Sequence, residues 1–293
     1  MGQVHLEEDK VARITRHSEG FSAESEPPWI VLGGGGLKGL AHVGAWKALA
    51  EAGLRPAGIV GTSIGGLVGA LAASSMDHGE GHRLALELRR SDIVRVNRRA
   101  VWINGIHQVS VFRGDVLREY FATLLPADGW STLETPFLVN AVDLADGSVE
   151  WFGTGARDDV SLLDAVYASA ALPVFYPPLQ HDGRVLVDGG VVEPLPITRA
   201  VAEGARRIIA IDVGAGSEID AEEALKQGLL GVHSSVFSIT SHRIRQELLT
   251  NYAGPPLLYV RPRLEGYGTF GFEHVPYFLE EGYRAMQEAL AGV

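Results

Sequence analysis

Two short stretches of the 293-residue chain carry residue types and spacing suited to nucleophilic chemistry. The first, Gly61-Thr62-Ser63-Ile64-Gly65, sets a serine between glycines directly before a run of small residues, Gly66, Gly69, Ala70, Ala72 and Ala73. A nucleophile on a sharp strand-to-helix turn needs glycines on both sides, because a Cβ there collides with neighbouring backbone. The second is the run Gly33-Gly34-Gly35-Gly36 followed by Leu37-Lys38-Gly39, entered from the apolar strand Trp29-Ile30-Val31-Leu32. Consecutive glycines at the mouth of a helix present bare N–H groups to any negative charge placed there. A held-out hydroxyl and a cradle for negative charge are the two halves of an acyl-transfer site.

Other uses of these stretches fit less well. Gly34-x-Gly36-x-x-Gly39 matches a dinucleotide fingerprint, but that fold needs an acidic residue at the end of the second strand, and here the strand ends in Gly61-Thr62-Ser63. A phosphate-binding loop fails because Lys38 precedes Gly39 and no Ser or Thr follows. A plain helix cap at Ser63 leaves the glycine loop one βα unit upstream without a purpose.

A serine hydroxyl needs a base to take its proton. In the chain order of a Ser-Asp-His hydrolase the late histidines His181, His233, His242 and His274 are candidates, yet none sits at a strand end or in a glycine-shaped turn. Asp188 is better placed. It closes Val185-Leu186-Val187 and precedes Gly189-Gly190, which exposes a carboxylate at the carboxyl edge of a sheet, where ligands bind in such folds.

The elements that must position these groups alternate. Strands are expected at Trp29 to Gly33, Ala57 to Val60, Phe137 to Val142, Val149 to Phe152, Val185 to Val187, Arg207 to Val213 and Leu257 to Val260. Helices are expected at Gly39 to Ala52, Ile64 to Ser74, Gly81 to Arg90, Gly114 to Leu125, Leu162 to Ala171, Glu222 to Tyr252 and Pro276 to Leu290, with a polar break at Asp77-His78-Gly79. This alternation specifies an α/β fold, a mostly parallel central sheet flanked by helices on both faces, in a single domain spanning 29–293. Residues 1–28 are polar and aperiodic, and are expected to form a flexible arm of a cytoplasmic protein.

Composition narrows the function. A net charge of −11 argues against nucleic-acid binding and against attraction to anionic lipid heads, so any membrane contact must be apolar and is expected to be transient. With no cysteine and no His-Glu spacing of the zinc-protease kind, neither a metal nor a cofactor is expected. The apolar segment Ala100 to Phe112, with Trp102, Ile103, Ile106 and Phe112, joins Phe270, Phe272, Tyr277 and Phe278 as candidates for an acyl pocket or a membrane-facing lid.

Gly34-Gly35-Gly36-Leu37-Lys38-Gly39, Gly61-Thr62-Ser63-Ile64-Gly65 and Asp188-Gly189-Gly190, in this order, resemble the three signatures of the patatin-like phospholipase family. Gly39-Leu40-Ala41-His42-Val43-Gly44, Ala168-Ser169-Ala170-Ala171-Leu172-Pro173, the stretch from Asp188 to Pro196 and the terminal Gly282-Tyr283 helix resemble it as well, so the likeness covers about 29 to 291. The resemblance implies a patatin-like three-layer sandwich and a Ser63-Asp188 dyad without histidine, cleaving acyl esters of lipids or phospholipids. It implies backbone oxyanion donors at Gly34, Gly35, Gly36 and Leu37, and a structural role for His42. Lys38 faces a phosphate head, anchors the loop, or is a solvated lysine at the start of a helix. Glu193-Pro194 departs from the family's usual Asn, leaving the shape after Asp188 open. The alternative is a regulatory or lipid-binding scaffold of the same fold with vestigial hydrolysis.

Overall fold

A computed structural model describes residues 26–97, 107–214 and 221–292, together with Phe21. One sheet is built from β1 (Trp29–Leu32), β2 (Gly58–Gly61), β3 (Phe137–Asp143), β4 (Val149–Gly153), β5 (Leu179–His181), β6 (Arg184–Asp188), β7 (Ile208–Ile211) and β8 (Leu257–Val260). Its hydrogen-bonded order is β5-β6-β3-β2-β1-β7-β8, with β4 also on β3. The stretch from β3 through β8 is parallel, whereas β4 and β6 run antiparallel to β3, and β5 antiparallel to β6.

The central strands read as continuous apolar runs because both faces are covered. Ile30, Leu32, Ile59, Ile209 and Ile211 point into the larger core, and Val31, Val60, Ile208 and Ala210 into the smaller one. The described helices are α1 (Ala41–Glu51), α2 (Ile64–Ala73), α3 (His78–Glu87), α4 (Arg90–Ile93), α5 (Gly114–Leu124), α6 (Leu162–Ala170), α7 (Ile197–Ala202), α8 (Ala221–Lys226), α9 (Gly228–Thr250) and α10 (Val275–Ala291). Helices α1, α2, α6 and α10 cover the first face. Helix α7 and the last turns of α9 cover the second. The result is the expected three-layer α/β sandwich.

Three expectations change. Asp77-His78-Gly79 does not break the chain but starts α3, because the Asp77 carboxylate accepts the amides of Gly79 and Glu80 as an N-cap. Within the expected arm, Phe21 is buried, with the Arg207 guanidinium 4.7 Å from its ring centroid; 1–20 and 22–25 lie outside the described residues. Of the expected lid, Trp102, Ile103 and Ile106 also lie outside them, and Phe112 is a core residue in tilted or edge-on ring contact with Phe175, Tyr176 and Phe270. Among the described residues, no helix is long and apolar enough to cross a membrane.

Helices α1 and α10 meet backbone to backbone. A Cβ on Gly44 would stand 1.9 Å from the Leu279 carbonyl oxygen, and one on Gly282 the same distance from that of Ala41. This contact fixes α1, and with it the glycine loop that leads into α1. Gly282→Ala should therefore lower stability by about 1–3 kcal/mol, read as a lower urea midpoint; an unchanged midpoint would contradict so close a contact.

Candidate active site

The sheet itself brings Ser63 and Asp188 together. Strand β4 pairs with Leu138 to Val142 along one edge of β3. Strands β2, opposite Phe137 to Val139, and β6, opposite Ala141 to Asp143, must then follow one another along the other edge. Because β2 runs parallel to β3 and β6 antiparallel, their carboxyl ends point at each other across Asn140. Ser63 lies two residues beyond the end of β2, and Asp188 is the last residue of β6.

Ser63 has φ 57° and ψ −125°, a left-handed conformation that costs a residue with a Cβ about 1–3 kcal/mol. Local bonds hold it there. Its N–H donates to Ser169 Oγ at 2.8 Å, Thr62 N–H donates to the Leu32 carbonyl at 3.0 Å, and Thr62 Oγ1 donates to the Glu193 carbonyl at 3.0 Å. No side chain fits beside the elbow: a Cβ on Gly61 would lie 2.4 Å from the Gly65 carbonyl oxygen, and one on Gly65 2.2 Å from that of Leu32. The Ser63 hydroxyl donates to Asp188 Oδ2 at 2.7 Å.

Asp188 is buried, and its other oxygen, Oδ1, accepts the Gly190 amide at 2.7 Å. Burial pushes its pKa up to about 7, against the opposing pull of the Ser63 hydroxyl and the Gly190 amide. No described histidine is a partner of Ser63. His181 sits at the β5–β6 hairpin, 3.8 Å from Asp159 and 3.6 Å from Asp182; His233 packs beside Phe175, and His274 beside Tyr267. His242 is buried on α9. His42 is buried too, with its Nε2 donating to the Gly33 carbonyl at 2.8 Å. Burial pushes its pKa down to about 4, so it stays neutral and ties α1 to the start of the loop.

The amides of the glycine loop differ in what they bind. The Gly34 amide donates to the Pro194 carbonyl and the Leu37 amide to the Thr269 carbonyl, each at 2.9 Å. Among the described residues, the amides of Gly35 and Gly36 have no protein acceptor, and both residues line the same cavity as Ser63 and Asp188. The amides of Gly34 and Leu37 are thus engaged by protein carbonyls, whereas those of Gly35 and Gly36 are not, among the described residues.

Several neighbours were not singled out from the sequence. Ser169 lies in the last turn of α6 inside the noted Ala168-to-Pro173 stretch, and Asn140 Nδ2 donates to the Glu193 carbonyl at 3.2 Å. Glu193 thus acts through its main chain, its carboxylate turning away to the Thr198 hydroxyl; the departure from Asn leaves the elbow contacts intact. Lys38 is buried, its pKa pushed down to about 8 by burial and by the Arg245 charge. Behind it, Asp212 accepts from the Tyr259 hydroxyl at 2.8 Å and from the Gly214 amide at 2.9 Å, and its carboxylate lies 3.3 Å from Arg245 Nε.

The cavity holds about 160 Å3. Its polar end carries Gly34 to Gly36, Lys38, Ser63, Asp188 and Arg245, and the remainder is mostly aliphatic and aromatic, running past Leu67, Leu71, Leu84 and Phe121. Asp159, His181 and Asp182 are spaced to hold a metal ion, but they sit at the opposite end of β6 from Asp188.

Comparison with known proteins identifies the family and the fold. Residues 30–201 match the model of the family described as patatin-like phospholipase. An uncharacterized NTE family protein of Mycobacterium tuberculosis is 32% identical over 197 residues, covering 66% of this chain and 51% of that protein. Lysophospholipase NTE1 of Coccidioides immitis is 29% identical over 294 residues, covering 89% of this chain but 17% of the relative. The chain thus spans about half the length of the mycobacterial relative. VipD from Legionella pneumophila shares the fold, with a TM-score of 0.50 at 15% identity over 91% of this chain and 67% of that one. A family match over more than half the chain has one reading: the protein belongs to the patatin-like phospholipase family.

Proposed function

We propose that the protein is a serine acyl hydrolase that cleaves carboxylic ester bonds of lipids or phospholipids. The observation that carries this reading is the 2.7 Å hydrogen bond between the elbow hydroxyl and a buried carboxylate, with no described histidine bonded to Ser63. Ionised Asp188 takes the Ser63 proton as Oγ attacks the ester carbonyl. The Gly35 and Gly36 amides receive the developing oxyanion, which is usually the larger part of such catalysis. Asp188 then returns the proton to the departing alcohol, leaving an acyl-Ser63. Water hydrolyses this acyl group by the same steps, with Asp188 as base again. A pKa raised to about 7 strengthens the carboxylate as a base while keeping much of it ionised near neutrality.

The apolar length of the cavity supports an acyl chain, and the likeness to a lysophospholipase supports a lipid ester. The paired Ser63 and Asp188 favour hydrolysis over the binding-scaffold alternative, which has no use for a hydroxyl strained toward a carboxylate. Hydrolysis of lipid substrates calls for transient contact with a membrane surface. The residues at the site call for neither metal nor cofactor.

Three results are expected. First, Ser63→Ala should abolish ester turnover and fluorophosphonate labelling. Because the strain belongs to the Cβ, Ser63→Gly should have a higher thermal midpoint than Ser63→Ala; a lower one would mean that the φ of 57° costs nothing. Second, Asp188→Asn should reduce turnover by ~10²–10⁴-fold, whereas Asn or Gln at His181, His233, His242 or His274 should retain most activity. A folded histidine variant as impaired as Ser63→Ala would replace the dyad with a triad. Third, Asp188 should leave a mark on stability. Its pKa is raised in the fold, so the native state holds the proton that the unfolded chain loses near 3.8, and stability falls as pH rises from there through about 7. The melting temperature of Asp188→Asn relative to wild type should therefore increase between about pH 4 and pH 8; the opposite trend would contradict a raised pKa.

A further inference from the structure

Helix α9 has two unlike faces. Ser234, Phe237, Ser238, Ser241 and Arg245 line the cavity that holds Ser63. At about 100° per residue, Leu229, Val232, Val236 and Ile239 fall on the opposite side of the same helix. They are 78%, 41%, 56% and 50% exposed, and Leu225 at the end of α8 is 71% exposed. From Leu229 to Ile239 the stripe extends about 15 Å along the helix.

A helix face turned to water normally carries charge. Here residues 228–242 contain no Asp, Glu, Lys or Arg, in a protein with 61 such residues, from 25 Lys and Arg plus 36 Asp and Glu. Charges stand only at the ends: Lys226, 3.5 Å from Glu223 and with Glu222 beside it, precedes the stripe, and Arg243, one turn beyond Ile239, is exposed at the same azimuth. Long basic side chains at the ends of an apolar face can lie along it and place their heads among phosphates.

We infer that the outer face of α8 and α9 is a lipid-docking surface that seats the cavity wall on a bilayer of zwitterionic phospholipid. The inference rests on the ester-hydrolase reading for its purpose, since a lipid leaving the bilayer then has one helix to pass before reaching Ser63. The spacing of three and four residues also suits a second helix, but paired helices flank their seam with charges, and the flanks here are Gly231, His233, Ser235 and Thr240. The net charge of −11 disfavours attraction to an anionic membrane, so burial of aliphatic side chains has to supply the binding.

The test is sedimentation of the full chain with phosphatidylcholine vesicles, beside hydrolysis of a short, water-soluble nitrophenyl ester. Two variants are compared with wild type: Val236→Glu with Ile239→Glu, and Leu229→Ser with Val236→Ser and Ile239→Ser. Wild type should sediment with the vesicles. Both variants should bind at least about tenfold more weakly, with unchanged thermal midpoints and soluble-ester turnover within about twofold of wild type. Wild type remaining in the supernatant, or folded variants binding as well as wild type, would overturn the docking surface. So would a wild-type dimer that both variants dissociate, because the stripe would then cover a second copy. Absence of Ser63-dependent turnover of the soluble ester would overturn the hydrolase reading alone, since sedimentation does not depend on turnover.

Discussion

Asp188 is a carboxylate held out of water, and such a group persists in a fold only if its ionisation is either suppressed or compensated. Compensation comes from two donors, the Ser63 hydroxyl and the Gly190 amide. Both depend on where the sheet ends its strands. Were β6 to stop one residue earlier or later, the side chain following it would leave on the other face, and the bond to Ser63 would be lost. Sharing one edge of β3 between β2 and β6 is therefore the constraint on which the site rests. The strained φ of Ser63, the glycines at 61 and 65, and the turn after Asp188 all serve that meeting.

The loop opposite the elbow is held as firmly. His42 binds the Gly33 carbonyl, and the carbonyls of Pro194 and Thr269 take the amides of Gly34 and Leu37. The adjoining helix and two segments distant in sequence thus set the loop, leaving two adjacent amides without a protein acceptor among the described residues. A cradle that spends some of its amides on its own rigidity loses little to reorganisation when charge appears. The elbow is braced from the same side, since Thr62 and Asn140 both donate to the Glu193 carbonyl, one residue before the Pro194 carbonyl that holds Gly34.

Much of this was legible in the sequence because it depends on local rules. Short apolar runs marked β1, β2, β7 and β8, and glycines around Ser63 and after Asp188 marked the two turns. What escaped depends on distant partners. The three residues of β5 are too few to show a period, and α7 is a short helix directly behind Pro196. Asp77 looked like a break because a capping carboxylate and a turn residue have the same composition. Which loop amides remain free is decided by carbonyls of residues 194 and 269, far from the loop in sequence. The burial of Lys38 was equally hidden, because its neighbours Asp212 and Arg245 come from β7's end and α9. Family resemblance supplied the Ser-Asp pairing; the antiparallel course of β6 supplies its physical reason.

A buried Asp188 with a raised pKa is the central claim, and infrared spectroscopy reads it directly. The difference between wild type and Asp188→Asn, followed with pH, isolates the carbonyl stretch of a single protonated carboxyl group. That band should disappear with a midpoint near 7, in step with the rise of ester turnover. A midpoint near the ordinary aspartate value of about 3.9, with turnover rising elsewhere, would show an exposed or ion-paired carboxylate and contradict Asp188 as the tuned base.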